Sequence, residues 1–286
     1  MTTLVGLTPG ERGNAALHLG AMVARSNADE LAVVVVVPTP WPPNPYRADD
    51  EYLVVQEEEA RRSLAEVDGV VGGDLVVRRR LHRARSVSSG LLEVVAEEPA
   101  SSVVLGSASS GLLGQVSLGG IAERILHSSE VPVTLAPAGF TTTAGARVAR
   151  ITVAYGRADA DSDLLDTARS VAGRIGASVR VACFAVRPPS ARGGSIGPGA
   201  EDLVVAEWRR AVVAEIAGAA GTDLETVVGQ GSTWNEAVAD VSWAAGDVLA
   251  VGASSSGVSR FFLGSHASKI LRHAPVPVTL VPREAG

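Results

Sequence analysis

Short apolar runs alternate with helix-period segments along the chain. Thr3–Leu7 reads as a strand, and Asn14–Arg25 carries Ala16, Leu17, Leu19, Gly20, Val23 and Ala24 at helical spacing. Leu31–Val37 is an unbroken apolar run, the pattern of a strand covered on both faces. Pro38–Pro45 holds five prolines and predicts an irregular loop. The alternation then resumes with a helix over Asp50–Asp68, a strand over Leu75–Leu81, a helix over Ser89–Glu98 and a strand over Ser102–Gly106. A helix over Gly119–Ser128 and a strand over Val131–Ala136 complete it. Strands that alternate with helices predict an α/β fold with a parallel sheet and helices on both sides.

The pattern occurs twice. Leu118–Leu126 and Val131–Pro137 match Leu263–Leu271 and Val276–Pro282 without a gap, at an offset of 145 residues. Upstream, Leu4-Val5-Gly6-Leu7 answers Thr152-Val153-Ala154-Tyr155, Leu53-Val54-Val55 answers Leu203-Val204-Val205, and Val103–Gly106 answers Leu249–Gly252. The small, polar segment Ala138–Gly145 reads as a linker. Two doubly wound domains follow, at 1–140 and 147–286. A single sheet running continuously through the chain would count against that division.

Composition narrows the function. Of 286 residues, 46% are apolar but only 4% aromatic, so Val, Leu, Ile and Ala fill the core. A formal charge of −6 repels polyanions and excludes a general nucleic-acid binder. The single cysteine, Cys183, lies in an apolar run and reads as a core residue. No membrane span is expected, because Val33–Val37 is far shorter than the ~20 residues a membrane helix needs. Without a leader-like N-terminus, the expected location is cytoplasmic.

Ligands of parallel sheets sit at the carboxyl ends of strands, where helix N-termini present free N–H groups. Two segments fit. Gly106 to Gly120 and Gly252 to Ser265 each run from a Gly/Ser-rich turn after a strand to a glycine that opens a helix. Glycine lets backbone approach a phosphate, and the helix dipole favours its charge. Glycines that merely make turns and cap helices would leave the same spacing.

These segments resemble the nucleotide-binding stretch of the universal stress protein family, whose ATP-binding members carry Gly, two residues, Gly, nine residues, Gly, then Ser or Thr. The resemblance covers Met1 to about Pro137 and Arg150 to Pro282. It implies, for each domain, a five-stranded parallel sheet with helices on both faces, of the adenine nucleotide alpha hydrolase-like type. It also implies ATP or AMP as the ligand, held at Gly106, Ser109, Gly119 and Gly120 in the first copy. In the second the matching positions are Gly252, Ser255, Gly264 and Ser265, with His266 beside them. Ser109 and Ser255 stand where the family has glycine, Gly120 stands where it has a hydroxyl, and the second spacer is one residue short. Thr8 and Gly156 occupy the place of the family's aspartate after the first strand. One or two lost ligand hydrogen bonds cost roughly 1–3 kcal/mol, a ten- to hundredfold loss of affinity. The second copy, with Ser265 retained, is the better candidate.

Other polar clusters read as surface. Arg78-Arg79-Arg80-Leu81-His82-Arg83-Ala84-Arg85 is expected to be a solvated strand end, and Glu57-Glu58-Glu59 the wet face of a helix. His18, His82, His127 and His273 show no metal spacing. Val131–Ala136 and Val276–Val281 are too apolar for bare sheet edges. In the resembled family such strands meet across a two-fold axis, which predicts an internal pseudo-dimer, with a further homodimer and unidentified protein partners open. The expected function is non-enzymatic: a regulatory protein that senses an adenine nucleotide. The alternatives are a scaffold acting through partners and an ATP-hydrolysing enzyme. Against the last, neither a His-x-Gly-His nor a Ser-Gly-Gly-x-Asp-Ser string occurs.

Overall fold

The computed structural model describes residues 1–10, 13–39, 48–108, 113–156, 158–186, 224–252 and 265–282, with a few positions between 206 and 218. The first half runs β1 (Thr2–Gly6), α1 (Asn14–Asn27), β2 (Glu30–Pro38), α2 (Ala48–Ala65), α3 (Val67–Val71) and β3 (Val77–Ala84). It continues with α4 (Val87–Glu97), β4 (Ala100–Gly106), α5 (Gly120–Ser128) and β5 (Val133–Ala136). The second half contains β6 (Arg150–Ala154), α6 (Ala158–Ile175), β7 (Ser178–Val186), β8 (Glu225–Gly231) and α7 (Trp234–Ala239). It ends with β9 (Asp247–Gly252), α8 (Ser265–His273) and β10 (Val278–Val281).

The described strands form one ten-stranded sheet in the order β3-β2-β1-β4-β5-β10-β9-β6-β7-β8. Its continuity departs from two separate sheets, yet the duplication stands. Each half repeats one order, third-second-first-fourth-fifth, with parallel neighbours throughout, and only β5 and β10 run antiparallel. Thr134 pairs with Thr279 in that seam, and their hydroxyl oxygens are 3.0 Å apart. These residues are 145 positions apart, so the repeat's own offset falls on the pseudo-two-fold axis. The last two strands are therefore central, as their apolar composition requires. Both start later than the apolar pattern suggests, because Pro132 and Pro277 have no N–H for a ladder. Their carbonyls instead accept from Val103 (2.9 Å) and Leu249 (2.8 Å).

Two apolar layers flank the sheet, and each is continuous across the seam. Alternate residues of β2 divide between them: Leu31, Val33, Val35 and Val37 face the α1 side, while Val34 and Val36 face the α4 side. The first layer also holds Val153 and Ala250 of the second half; the other holds Leu249 and Leu280. Cys183 is buried in the first layer. The linker and the residues just after it are held along α1: Phe140 packs on the core, Arg147 donates to the Arg25 carbonyl, and Val148 N–H donates to Ser26 Oγ (2.8 Å).

Charge finishes the sheet edge. The basic run is not a strand end but β3 itself, shifted past the predicted Leu75–Leu81, and carboxylates meet most of it. Arg78 pairs with Glu30 (3.1 Å) and Glu98 (3.2 Å), Arg79 with Asp68, and Arg80 with Glu97. His82 Nε2 lies 2.7 Å from Glu93. Arg83 Nε donates to Glu57 at 2.6 Å, so Glu57 is buried rather than on a wet face, while Glu58 and Glu59 are exposed. A charged edge of this kind resists pairing with another chain. Helix α4 begins at Val87 because Ser86 and Ser89 form a reciprocal capping box.

In the second half, Arg150 grips buried Asp247 with two hydrogen bonds, of 2.9 and 2.7 Å. Arg180 is 1% exposed, donates to Thr152 at 2.9 Å and stacks 5.2 Å from the Trp243 ring centre. Its Nη2 lies 3.5 Å from Asp247. Burial pushes the Arg180 guanidinium below its ordinary value, Arg150 adds to this, and Asp247 opposes it.

Asp247→Ala strands two arginines, one fully buried, and is expected to cost about 3–5 kcal/mol, read as a fall in the urea midpoint. The hydrogen bond from Arg83 holds the Glu57 carboxyl below its ordinary value; partial burial opposes it, and Arg61 adds to it. That contribution is complete above the unfolded-state value and is lost as pH falls through the folded-state value. Glu57→Gln should therefore lower the urea midpoint at neutral pH and flatten its decline on acidification.

Candidate functional site

The switch in strand order between β1 and β4 opens a cleft at their carboxyl ends, with a volume of about 380 Å³. Gly106, Gly119 and Gly120, singled out from the sequence, all line it, together with Thr8. Helix α5 starts from Gly119 in extended conformation (φ −104°, ψ 167°) with no side-chain cap. The N–H groups of its first turn are thus left for a ligand, and the helix dipole adds partial positive charge. Among the described lining residues none is charged, so backbone N–H groups and the Thr8 hydroxyl are what the cleft offers an anion. A Cβ at Gly119 would lie 3.1 Å from the Ala108 Cβ, whereas one at Gly120 would meet open space. A hydroxyl-bearing residue would therefore fit at Gly120.

Two contributors escaped the sequence reading. The Ser107 hydroxyl donates to the Ala136 carbonyl at 2.6 Å and accepts from Ser117 N–H at 3.0 Å, tying the glycine-rich segment to β5. Nothing in the spacing separates Ser107 from its serine neighbours. Gly13 brings α1 against the end of β1, where a Cβ would sit 2.3 Å from the Thr8 carbonyl oxygen. It falls outside the glycine pattern considered. Ser109 lies outside the described residues, as do Ser255 and Gly264.

In the second half, Gly252 ends β9, and Ser265 and His266 open α8. His266 faces Trp234, with ring centres 5.4 Å apart at 35°, and the Lys269 ammonium is 5.7 Å from the same indole. The equivalent positions of the first half are Val87 and Ile121, both in the cleft lining. Aromatic and cationic groups thus replace aliphatic ones at the second helix mouth. Hydrogen bonds from the Ser232 hydroxyl and N–H keep the Glu236 carboxyl below its ordinary value. Glu236 therefore stays a carboxylate, tied to Ser232 at the start of α7. Gly156, like Thr8, is exposed and supplies no carboxylate.

The profile of the universal stress protein family matches residues 1–137 and 148–282. A universal stress protein of Mycobacterium tuberculosis is 36% identical over 294 residues, covering 99% of this chain and 100% of its own length. Its Mycobacterium bovis counterpart matches at the same 36% identity and coverage. Among solved structures, a universal stress protein from Archaeoglobus fulgidus superposes with a TM-score of 0.62 at 18% identity. That match covers 99% of this chain and 98% of the other, and it supports the fold. Among the described residues no helix is long and apolar enough to cross a membrane, and no cluster of His, Cys, Asp or Glu could hold a metal ion.

Gly13→Ala forces a methyl into the Thr8 carbonyl and is expected to destabilise the chain by about 1–3 kcal/mol. Faster amide exchange at the start of α1 than at its end would locate the damage at the cleft.

Proposed function

Because the chain belongs to the universal stress protein family, we propose that it is a stress-response protein that holds ATP or AMP at the sheet rim and does not turn it over. The observation that carries this reading is the convergence of Gly106, Gly119, Gly120 and the uncapped start of α5 on one cleft. Its volume, about 380 Å³, lies within the ~300–1,000 Å³ range of small-molecule pockets. Backbone N–H groups at a helix start suit a phosphate. Thr8 in place of a carboxylate removes an anchor for the rest of the nucleotide, so the affinity is weak. The second half binds more tightly: Ser265 offers a hydroxyl at the helix mouth, and Lys269 a nearby positive charge. Holding without turnover fits a cleft whose described lining carries no acid–base side chain.

Calorimetric titration of the whole chain with ATP, AMP and a cyclic nucleotide, followed by a product assay, tests this. The expected result is saturable heat without product. Gly264→Val should remove the tighter phase and Gly119→Val the weaker one. Thr8→Asp should strengthen the weaker phase by about tenfold, the worth of one added hydrogen bond to the ligand. Silence up to millimolar nucleotide would favour the scaffold, and product would favour the enzyme.

A further inference from the structure

A second cavity, of about 420 Å³, lies at the seam between the halves. Its floor includes Ser102, Thr134 and Thr279, and its walls include Val23 of α1 with Leu164 and Val171 of α6. Val23 and Val171 occupy equivalent places in the two repeats, so the cavity straddles the pseudo-two-fold axis. It is separate from the rim cleft and shares no lining residue with it.

The polar atoms on its floor are incompletely used. Ser102 is 6% exposed, and its Oγ has no hydrogen-bond partner among the described residues. A buried hydroxyl left in this state is costly and calls for a partner. The equivalent residue of the second half is Val248, which lines the same cavity with methyl groups. A hydroxyl is thus not needed to pack this position. Thr134 and Thr279 share one hydrogen bond, which engages only one of their two hydroxyl hydrogens. The floor therefore offers donors within an apolar chamber. At one end stands Asp29, which accepts from the Thr3 and Ser101 hydroxyls. The Met1 ammonium lies 3.7 Å from Asp29, and exposed Arg174 also lines the cavity. The floor residues Ser102, Thr134 and Thr279 are uncharged, however, so a carboxylate seated on them would lose its water without gaining an ionic partner.

We propose that this seam cavity binds a small, uncharged, largely apolar molecule whose single carbonyl oxygen accepts a hydrogen bond from Ser102 Oγ. Bound there, the molecule touches α1 and α6 together and so couples the two halves of the chain.

Calorimetric titration of the full chain with δ-decalactone, compared with decanoate and decane, tests the proposal. Saturable lactone binding with a raised unfolding temperature is expected, and weaker binding of both comparison compounds. Ser102→Val, which copies Val248, should weaken lactone binding by about tenfold and leave nucleotide titration unchanged. Val171→Trp should abolish lactone binding by filling the chamber. If that variant fails to fold, Ser102→Val decides alone. The proposal is overturned if the wild-type chain gives no saturable lactone binding, if Ser102→Val binds as tightly as wild type, or if decanoate or decane matches the lactone.

Discussion

The antiparallel pairing of β5 with β10 is the contact on which the rest of the molecule depends. Each strand has only four residues and would present an apolar edge if its half stood alone. Paired in the register Val278 to Leu135, Thr279 to Thr134 and Leu280 to Val133, they close each other's edges. The same pairing merges the apolar layers of the two halves on both sides of the sheet. The edges that remain, β3 and β8, lie at the far ends of the order, and β3 is armoured with paired arginines.

That seam also arranges the sites. Because β10 runs against β5, the carboxyl ends of the two sets of strands point in opposite directions, and the starts of α5 and α8 lie on opposite rims of the sheet. They cannot share one nucleotide. Each has been free to diverge, and the chemistry has done so: Val87 and Ile121 face the first cleft, while Trp234 and His266 hold the second helix mouth. The seam cavity is the place where a ligand would touch both halves at once.

Much of this was legible in the chain. The gapless offset of 145 residues predicted the duplication, and Thr134 facing Thr279 is its direct geometric image. The meeting of Gly106, Gly119 and Gly120 at one cleft was readable because they follow a strand and open a helix, at the carboxyl rim of a parallel sheet. The edge strand was misplaced because β3 is only partly buried and its arginines carry no hydrophobic period. Glu57 was misread because its burial depends on Arg83, 26 residues away on another element. Ser107 and Gly13 act through contacts that no local spacing records, and the partnerless hydroxyl of Ser102 is likewise a property of packing.

Amide hydrogen exchange across the seam addresses the central claim directly. With β5 and β10 as the inner strands of one sheet, their hydrogen-bonded amides should exchange only through global unfolding, with the same free energy in both strands and in β1 and β6. Exchange of β5 and β10 through a cheaper opening, while β1 and β6 stay protected, would show two domains that merely touch and would contradict the single fused sheet.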